Sequence, residues 1–439
     1  MSDSSSLSKR GQIVQNTTLR VDFEIFYEAM QNLFHQTDNP DGAIPLNIAE
    51  NRLSWHLLEN KMKEITENES IPNWVASYTS AMGAPEFRSV LADFLTKFLT
   101  LCPINPDHLG LSAGATAIVE VSSWVVADPG DVAVFPAPCY PVYKQDIGNK
   151  GGIERYDLVT HYDLTSIKNE PVLSIEHLEQ ALQEIERAGK KFKMLVLTNP
   201  DNPTGGMFSK AKLESIADWC IGHKIHLFVN EIYGLSLIDI LHPAIKDDYD
   251  TEIDFFSFAN IIQDRQSDYL HLWHALSKDF GASGFRVGMV YSLNQAFLEA
   301  YNNLNAPQMV SNFAQWIFLK VMEDHDFIAD YIEYNQKALT ESYIIVIESL
   351  RRLNIPYAPA RGSLFVWLDF SEFLKEQSQE AENEMWMNIY NETKVLLTPG
   401  QGFGHSKRGQ FRLVYSCVSK EELSVAMERL EKWVLKKRA

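Results

Sequence analysis

Cysteine is scarce in this chain, with four in 439 residues, and positive charge is short, with 39 lysines and arginines against 58 aspartates and glutamates. Cys102, Cys139, Cys220 and Cys417 form no CxxC and no pairing pattern. That predicts free thiols in a reducing compartment, without a disulfide framework and without a zinc site. The formal net charge of −19 and the lack of a long basic block argue against a polyanionic partner, because nucleic acid or anionic lipid would meet a repelling surface. No apolar run reaches the roughly 20 residues of a membrane-spanning helix, and the polar start has no apolar leader core. The expectation is a cytoplasmic protein that acts on a small molecule and binds neither nucleic acid nor membrane.

What the chain does have is apolar material, 45% hydrophobic and 11% aromatic, enough to build about two or three structural units. Residues 1–20 read as a loose polar arm, and 21–70 as a segment that joins a smaller domain. Over 71–305, helical patterns (85–101, and 115 through Val126) alternate with short runs apolar on both faces at 132–135, 194–197, 227–229 and 270–273. Such runs belong in a mostly parallel sheet covered by helices, so this is an α/β domain. Residues 306–439 change texture to long helical patterns, strands at 364–368 and 410–416 and a charged helix near 372–393, which predicts a smaller α+β domain. The acidic stretch 376–384 reads as a solvated helix face.

Polar residues recur at the ends of the apolar runs. Asn199-Pro200-Asp201-Asn202-Pro203-Thr204-Gly205-Gly206 follows one, Asn230-Glu231-Ile232-Tyr233 the next, and Ser277-Lys278 a third, so all lie at the edge of the sheet where open α/β folds bind ligands. Gly114-Ala115-Thr116 opens a helix, placing a hydroxyl beside free backbone N–H groups suited to a phosphate. A lysine after a buried strand, with Arg286 eight positions on, offers an amine for an aldehyde and a cation for a phosphate. Together these suggest pyridoxal phosphate.

These segments, with Ala49-Glu50-Asn51-Arg52, Gly83-Ala84-Pro85-Glu86-Phe87-Arg88 and Phe411-Arg412-Leu413, resemble the fold-type I pyridoxal-phosphate enzymes, aspartate-aminotransferase-like in fold. Within the class I aminotransferases they are most similar to the 1-aminocyclopropane-1-carboxylate synthase branch. The resemblance implies that Lys278 holds the cofactor as an imine and, freed by an external aldimine of an α-amino acid, moves the α-proton. It further implies that Ala115, Thr116, Ser277 and Arg286 hold the phosphate, that Tyr140 stacks on the ring, and that Asn202 and Tyr233 bond its phenolic oxygen. Arg412 would clamp the substrate carboxylate, and Glu50 would lie near the substrate amino group and sulfonium. A homodimer with active sites at the subunit interface is implied as well.

Three positions depart from that pattern. Asn230 stands where the family carries an aspartate that keeps the ring nitrogen protonated, which predicts a weaker electron sink. Ala81 replaces a tyrosine that reaches the neighbouring subunit's phosphate, with Tyr78 a candidate substitute, and Ala275 lacks a hydroxyl common in relatives. The expected activity is elimination, cyclisation or γ-substitution on S-adenosylmethionine. Amino transfer to a 2-oxo acid is the alternative, followed by a catalytically degenerate cofactor-binding protein. A regulator fused to a DNA-binding domain would need a basic N-terminal domain, for which the residues before about position 45 leave no room.

Overall fold

The apolar runs line up as neighbours in one seven-stranded sheet. The computed structural model describes residues 6–17, 20–160, 164, 170–250 and 253–439. From edge to edge the strands are Leu109–Ser112, Gly288–Ser292, Leu270–Ala275, His226–Asn230, Phe192–Thr198, Val132–Ala137 and Glu154–Val159. The last five pair in parallel, and Gly288–Ser292 runs antiparallel to both of its neighbours. Parallel strands need both faces covered, which explains their near-continuous Val, Leu, Ile and Phe. Glu154–Val159 is polar enough to escape detection in the sequence because it is an edge strand, half-exposed along most of its length.

A second unit holds the antiparallel strands Thr398–Pro399, Gln410–Val414 and Phe365–Asp369, beside a parallel pair of Ile44–Pro45 with Val395–Leu396. Helices Gln379–Thr393 and Lys420–Arg438 pack around it. Residues 44–45 thus stitch the N-terminal segment into this unit. The helix Trp55–Asn68, by contrast, sends Leu58 and Ile65 into the core under the large sheet.

Apolar packing also crosses position 305. Helix Asn312–Glu323 buries eight of its twelve residues, too many for one stripe, and packs in the first core against helices Pro85–Phe94 and Trp55–Asn68. The 28-residue helix His325–Arg352 begins there with Ile328 and Tyr331, then contributes Leu339, Tyr343, Val346 and Leu350 to the second core.

Within the N-terminal arm, Lys9–Gln15 is a short helix capped by Ser8, with no buried residue. Residues 1–5, 18 and 19 of that arm lie outside the described residues. The acidic stretch 376–384 is not uniformly solvated: Glu382 is fully buried because its carboxylate accepts the Gly409 N–H at 2.8 Å. All four cysteines are free and buried.

Candidate active site

Three strand ends meet in one cavity. Thr198, Asn230 and Trp273 are register partners across Phe192–Thr198, His226–Asn230 and Leu270–Ala275, so the loops that leave these strands start at one level. Asn202 follows the first, Asn230 ends the second with Tyr233 just beyond, and Lys278 lies in the one-turn helix Leu276–Asp279 after the third. The cavity, about 300 Å³, is lined by every residue expected to hold cofactor or substrate: Glu50, Ala115, Thr116, Tyr140, Asn202, Asn230, Tyr233, Ser277, Lys278, Arg286 and Arg412.

Lys278 is half-buried there, with its amine turned inward, and its Nζ donates to the Ala49 carbonyl at 2.6 Å. Burial pushes its amine down to about 8, with Arg412, Arg286 and Arg20 pushing the same way and Glu50 opposing them. An appreciable share of neutral amine near physiological pH is what a nucleophile for an aldehyde requires.

Arg286 sits against the N-terminus of helix Ala115–Val126. Its guanidinium is so close to Gly114 that a Cβ there would lie 2.4 Å from Nη2, and Gly114 holds φ +89°. Only glycine fits both demands. Helix N–H groups, Thr116, Ser277 and this cation together make an anion cradle.

Arg412 approaches from the second unit. Buried in Gln410–Val414, it donates Nη1 to Asn202 Oδ1 at 3.0 Å and Nη2 to the Asn47 carbonyl at 3.0 Å, with Phe365 and Phe403 over its guanidinium. Burial pushes its guanidinium down to about 10, and among the described residues its Nε has no hydrogen-bond partner. An unpartnered donor on a buried cation is suited to an anionic ligand. Asn202 Nδ2 in turn donates to the Tyr233 hydroxyl at 3.4 Å. Tyr140 packs edge-on to Tyr143, with ring centroids 5.3 Å apart.

Asn230 is already engaged: Nδ2 donates to the Tyr143 hydroxyl at 3.0 Å and Oδ1 accepts the Ile232 N–H at 3.2 Å. The Glu50 carboxylate is gripped by Arg52 at 3.0 Å and stays partly exposed. Tyr78, fully exposed, is not among the residues lining the cavity of its own chain.

Sequence reasoning missed Arg20, Tyr143, Asp146, Thr198 and Ser283, which also line the cavity. Arg20 pairs with Asp22 and shares the Asn47 carbonyl and Thr398 Oγ1 with Arg412. Tyr143 and Asp146 belong to a short helix, Tyr143–Gly148, three residues apart and so on one face. A tyrosine three residues past Tyr140 was the available signal.

Residues 42–430 match the family described as aminotransferase class I and II. The chain belongs to that family. Its curated relatives include 1-aminocyclopropane-1-carboxylate synthase 8 of Arabidopsis thaliana, 30% identical over 421 residues that cover 93% of this chain and 86% of the relative. The 1-aminocyclopropane-1-carboxylate synthase of Glycine max is 28% identical over 418 residues, covering 92% and 83%. Among solved structures, the Thermus thermophilus aspartate aminotransferase with maleate superposes with a TM-score of 0.78 at 19% identity, covering 98% of this chain and 99% of that one. An archaeal alanine:glyoxylate aminotransferase gives 0.79 at 20% identity, with 98% of each covered. As a fold-type I member of the aminotransferase family, this chain is a pyridoxal 5'-phosphate enzyme, and the site fits that cofactor. It has a buried amine of depressed basicity and a separate anion cradle that the Gly114–Arg286 contact leaves no room to fill with a side chain.

Proposed function

We propose that this enzyme binds an α-amino acid, with S-adenosylmethionine as the favoured substrate, and eliminates, cyclises or substitutes at its γ-carbon. The observation that carries the reading is the buried Lys278 amine sharing one cavity with two arginines of different setting, Arg286 at a helix N-terminus and Arg412 on Asn202. When bound, pyridoxal phosphate supplies an electron-accepting ring conjugated to the substrate's α-carbon.

The chain's own residues do the rest. Lys278 would attach the cofactor and, as a free amine, would take the α-proton. Arg286, Thr116, Ser277 and the Ala115 N–H would hold the phosphate, Tyr140 would cover the ring, and Asn202 with Tyr233 would hold its phenolic oxygen. Arg412 orients the substrate carboxylate through two charge-assisted bonds, which fixes the α-hydrogen relative to Lys278. Glu50 provides the anion that a sulfonium needs, and its pairing with Arg52 sets where that carboxylate stands. We propose a homodimer as well, supported by Tyr78 and Phe313, exposed aromatics on segments that Asn312 ties together through Ser77 O (2.6 Å) and Thr79 (3.0 Å).

The test is incubation with S-adenosylmethionine alone. Release of methylthioadenosine without any 2-oxo acid supports the reading. Turnover only when an amino acid and a 2-oxo acid are both present, with the cofactor left in its amine form, replaces it with amino transfer.

A further inference from the structure

Two carboxyl groups line the cavity, and only one has a partner. Glu50 is paired with Arg52, whereas Asp146 is 7% exposed and, among the described residues, its side chain has no hydrogen bond and no ion pair. A buried carboxyl left without a partner is costly, so a position that keeps one invites a ligand. Its location is specific. Asp146 stands one turn beyond Tyr143 on helix Tyr143–Gly148, and the Tyr143 hydroxyl joins Asn230 Nδ2 at 3.0 Å and Thr198 Oγ1 at 3.2 Å. Asp146 therefore shares a helix face with the residue that holds Asn230, at the end of the cavity where the family carries its ring-nitrogen carboxylate.

We propose that Asp146 is the anionic partner of the cofactor's ring nitrogen, replacing the carboxylate that position 230 lacks. Asn230 cannot serve, being neutral, with its oxygen already accepting the Ile232 N–H. Burial, and to a lesser degree Glu120, pushes the Asp146 carboxyl up to about 8, so the cavity stores a proton there until a base arrives. On cofactor uptake Asp146 passes that proton to the ring nitrogen and remains beside it as a carboxylate; one O–H bond breaks, one N–H bond forms, and no net charge is added. The other titratable groups near it are Glu120, already bonded to Lys150 (2.9 Å) and Gln308 (3.0 Å), and the phenols of Tyr140 and Tyr143, both held un-ionised by burial. Four cations line the same cavity, Arg20, Lys278, Arg286 and Arg412, and among the described residues none of them forms an ion pair with the Asp146 carboxyl. The charge expected at 230 is moved in the fold, not lost from it.

This inference rests on the cofactor assignment above, and one experiment separates the two. Apoprotein is loaded with pyridoxal 5'-phosphate carrying ¹⁵N in the ring, and the nitrogen resonance is recorded for the wild type, Asp146→Asn and Asp146→Asn/Asn230→Asp. The expected result is a protonated ring in the wild type, a neutral ring in the single variant, and a protonated ring again in the double variant. A neutral ring in the wild type, or a protonated one in Asp146→Asn, overturns the inference while leaving the cofactor assignment intact; failure to take up cofactor overturns both. Infrared difference spectra of wild-type holoprotein against apoprotein give a readout that needs no variant. Loss of one protonated-carboxyl band on loading supports the proposal, and an unchanged band overturns it.

Discussion

Arg412 and Asn202 join the two units, Nη1 donating to Oδ1 at 3.0 Å. One side chain comes from the small antiparallel sheet and the other from a loop of the large one, so substrate affinity depends on the two units being in register. Replacing Arg412 with lysine keeps the charge but loses the fork. Hydrogen bonds to charged groups contribute about 1.5–3 kcal/mol, so KM should rise roughly 10- to 100-fold with a smaller fall in kcat, as steady-state kinetics would show.

Lys278→Ala should abolish covalent attachment. Borohydride followed by peptide mass analysis would find the reduced cofactor on Lys278 in the wild type and on no residue in the variant. Turnover should fall by more than about 10³-fold, since a nucleophile and a proton carrier are both removed.

The same lysine sets a pH dependence of stability. Its folded-state amine lies at about 8, while an unfolded lysine holds its proton to about 10.4. Between these values the unfolded chain binds more protons, so apoprotein stability should rise with pH through that window. Below pH 8 this contribution is constant. Lys278→Met should flatten the rise, measured by denaturant unfolding at pH 8, 9 and 10.

Glu231 works in the opposite sense. It is fully buried, accepts from Phe258 N–H at 2.6 Å and Ser257 Oγ at 2.7 Å, and burial pushes its carboxyl up to about 8. The folded state therefore keeps a proton that the unfolded chain releases near 4.3, and stability is lost as pH rises from there to about 8. Glu231→Gln should shrink that loss, with Asp146, raised to about 8, Asp279, raised to about 7, and Asp201, raised to about 6, contributing to what remains. Glu231→Ala, which strands the Phe258 N–H, should destabilise by about 1–3 kcal/mol at acid pH, where the unfolded chain keeps the Glu231 proton as well.

Gly114→Ala should weaken cofactor binding. The added methyl collides with the Arg286 guanidinium, and the backbone conformation is one that non-glycine residues reach at about 1–3 kcal/mol. Equilibrium titration of apoprotein with pyridoxal 5'-phosphate should show a Kd raised roughly tenfold or more.

Most of the lining of the candidate site was legible because strand ends are legible. The runs at 194–197, 227–229 and 270–273 are unmistakably apolar, and the polar residues that follow each must share one sheet edge once the strands are parallel. Asn202, Tyr233 and Lys278 needed nothing more. Asp146 and Thr198 were invisible for a physical reason: Asp146 sits in a helix of six residues, too short for periodicity to assign a face, and Thr198 ends a strand with an unremarkable β-branched side chain. The acidic stretch misled because Glu382 is buried by a contact with Gly409, 27 residues away, which no local pattern encodes. The apolar packing past position 305 was likewise hidden, since a helix buried on nearly all sides announces burial and not its neighbour.

The helix His325–Arg352 runs unbroken from one core into the other. Calorimetry should accordingly record a single endotherm for the apoprotein, because neither half can melt and leave its share of that rod intact. A truncation that removes either half should yield an insoluble fragment.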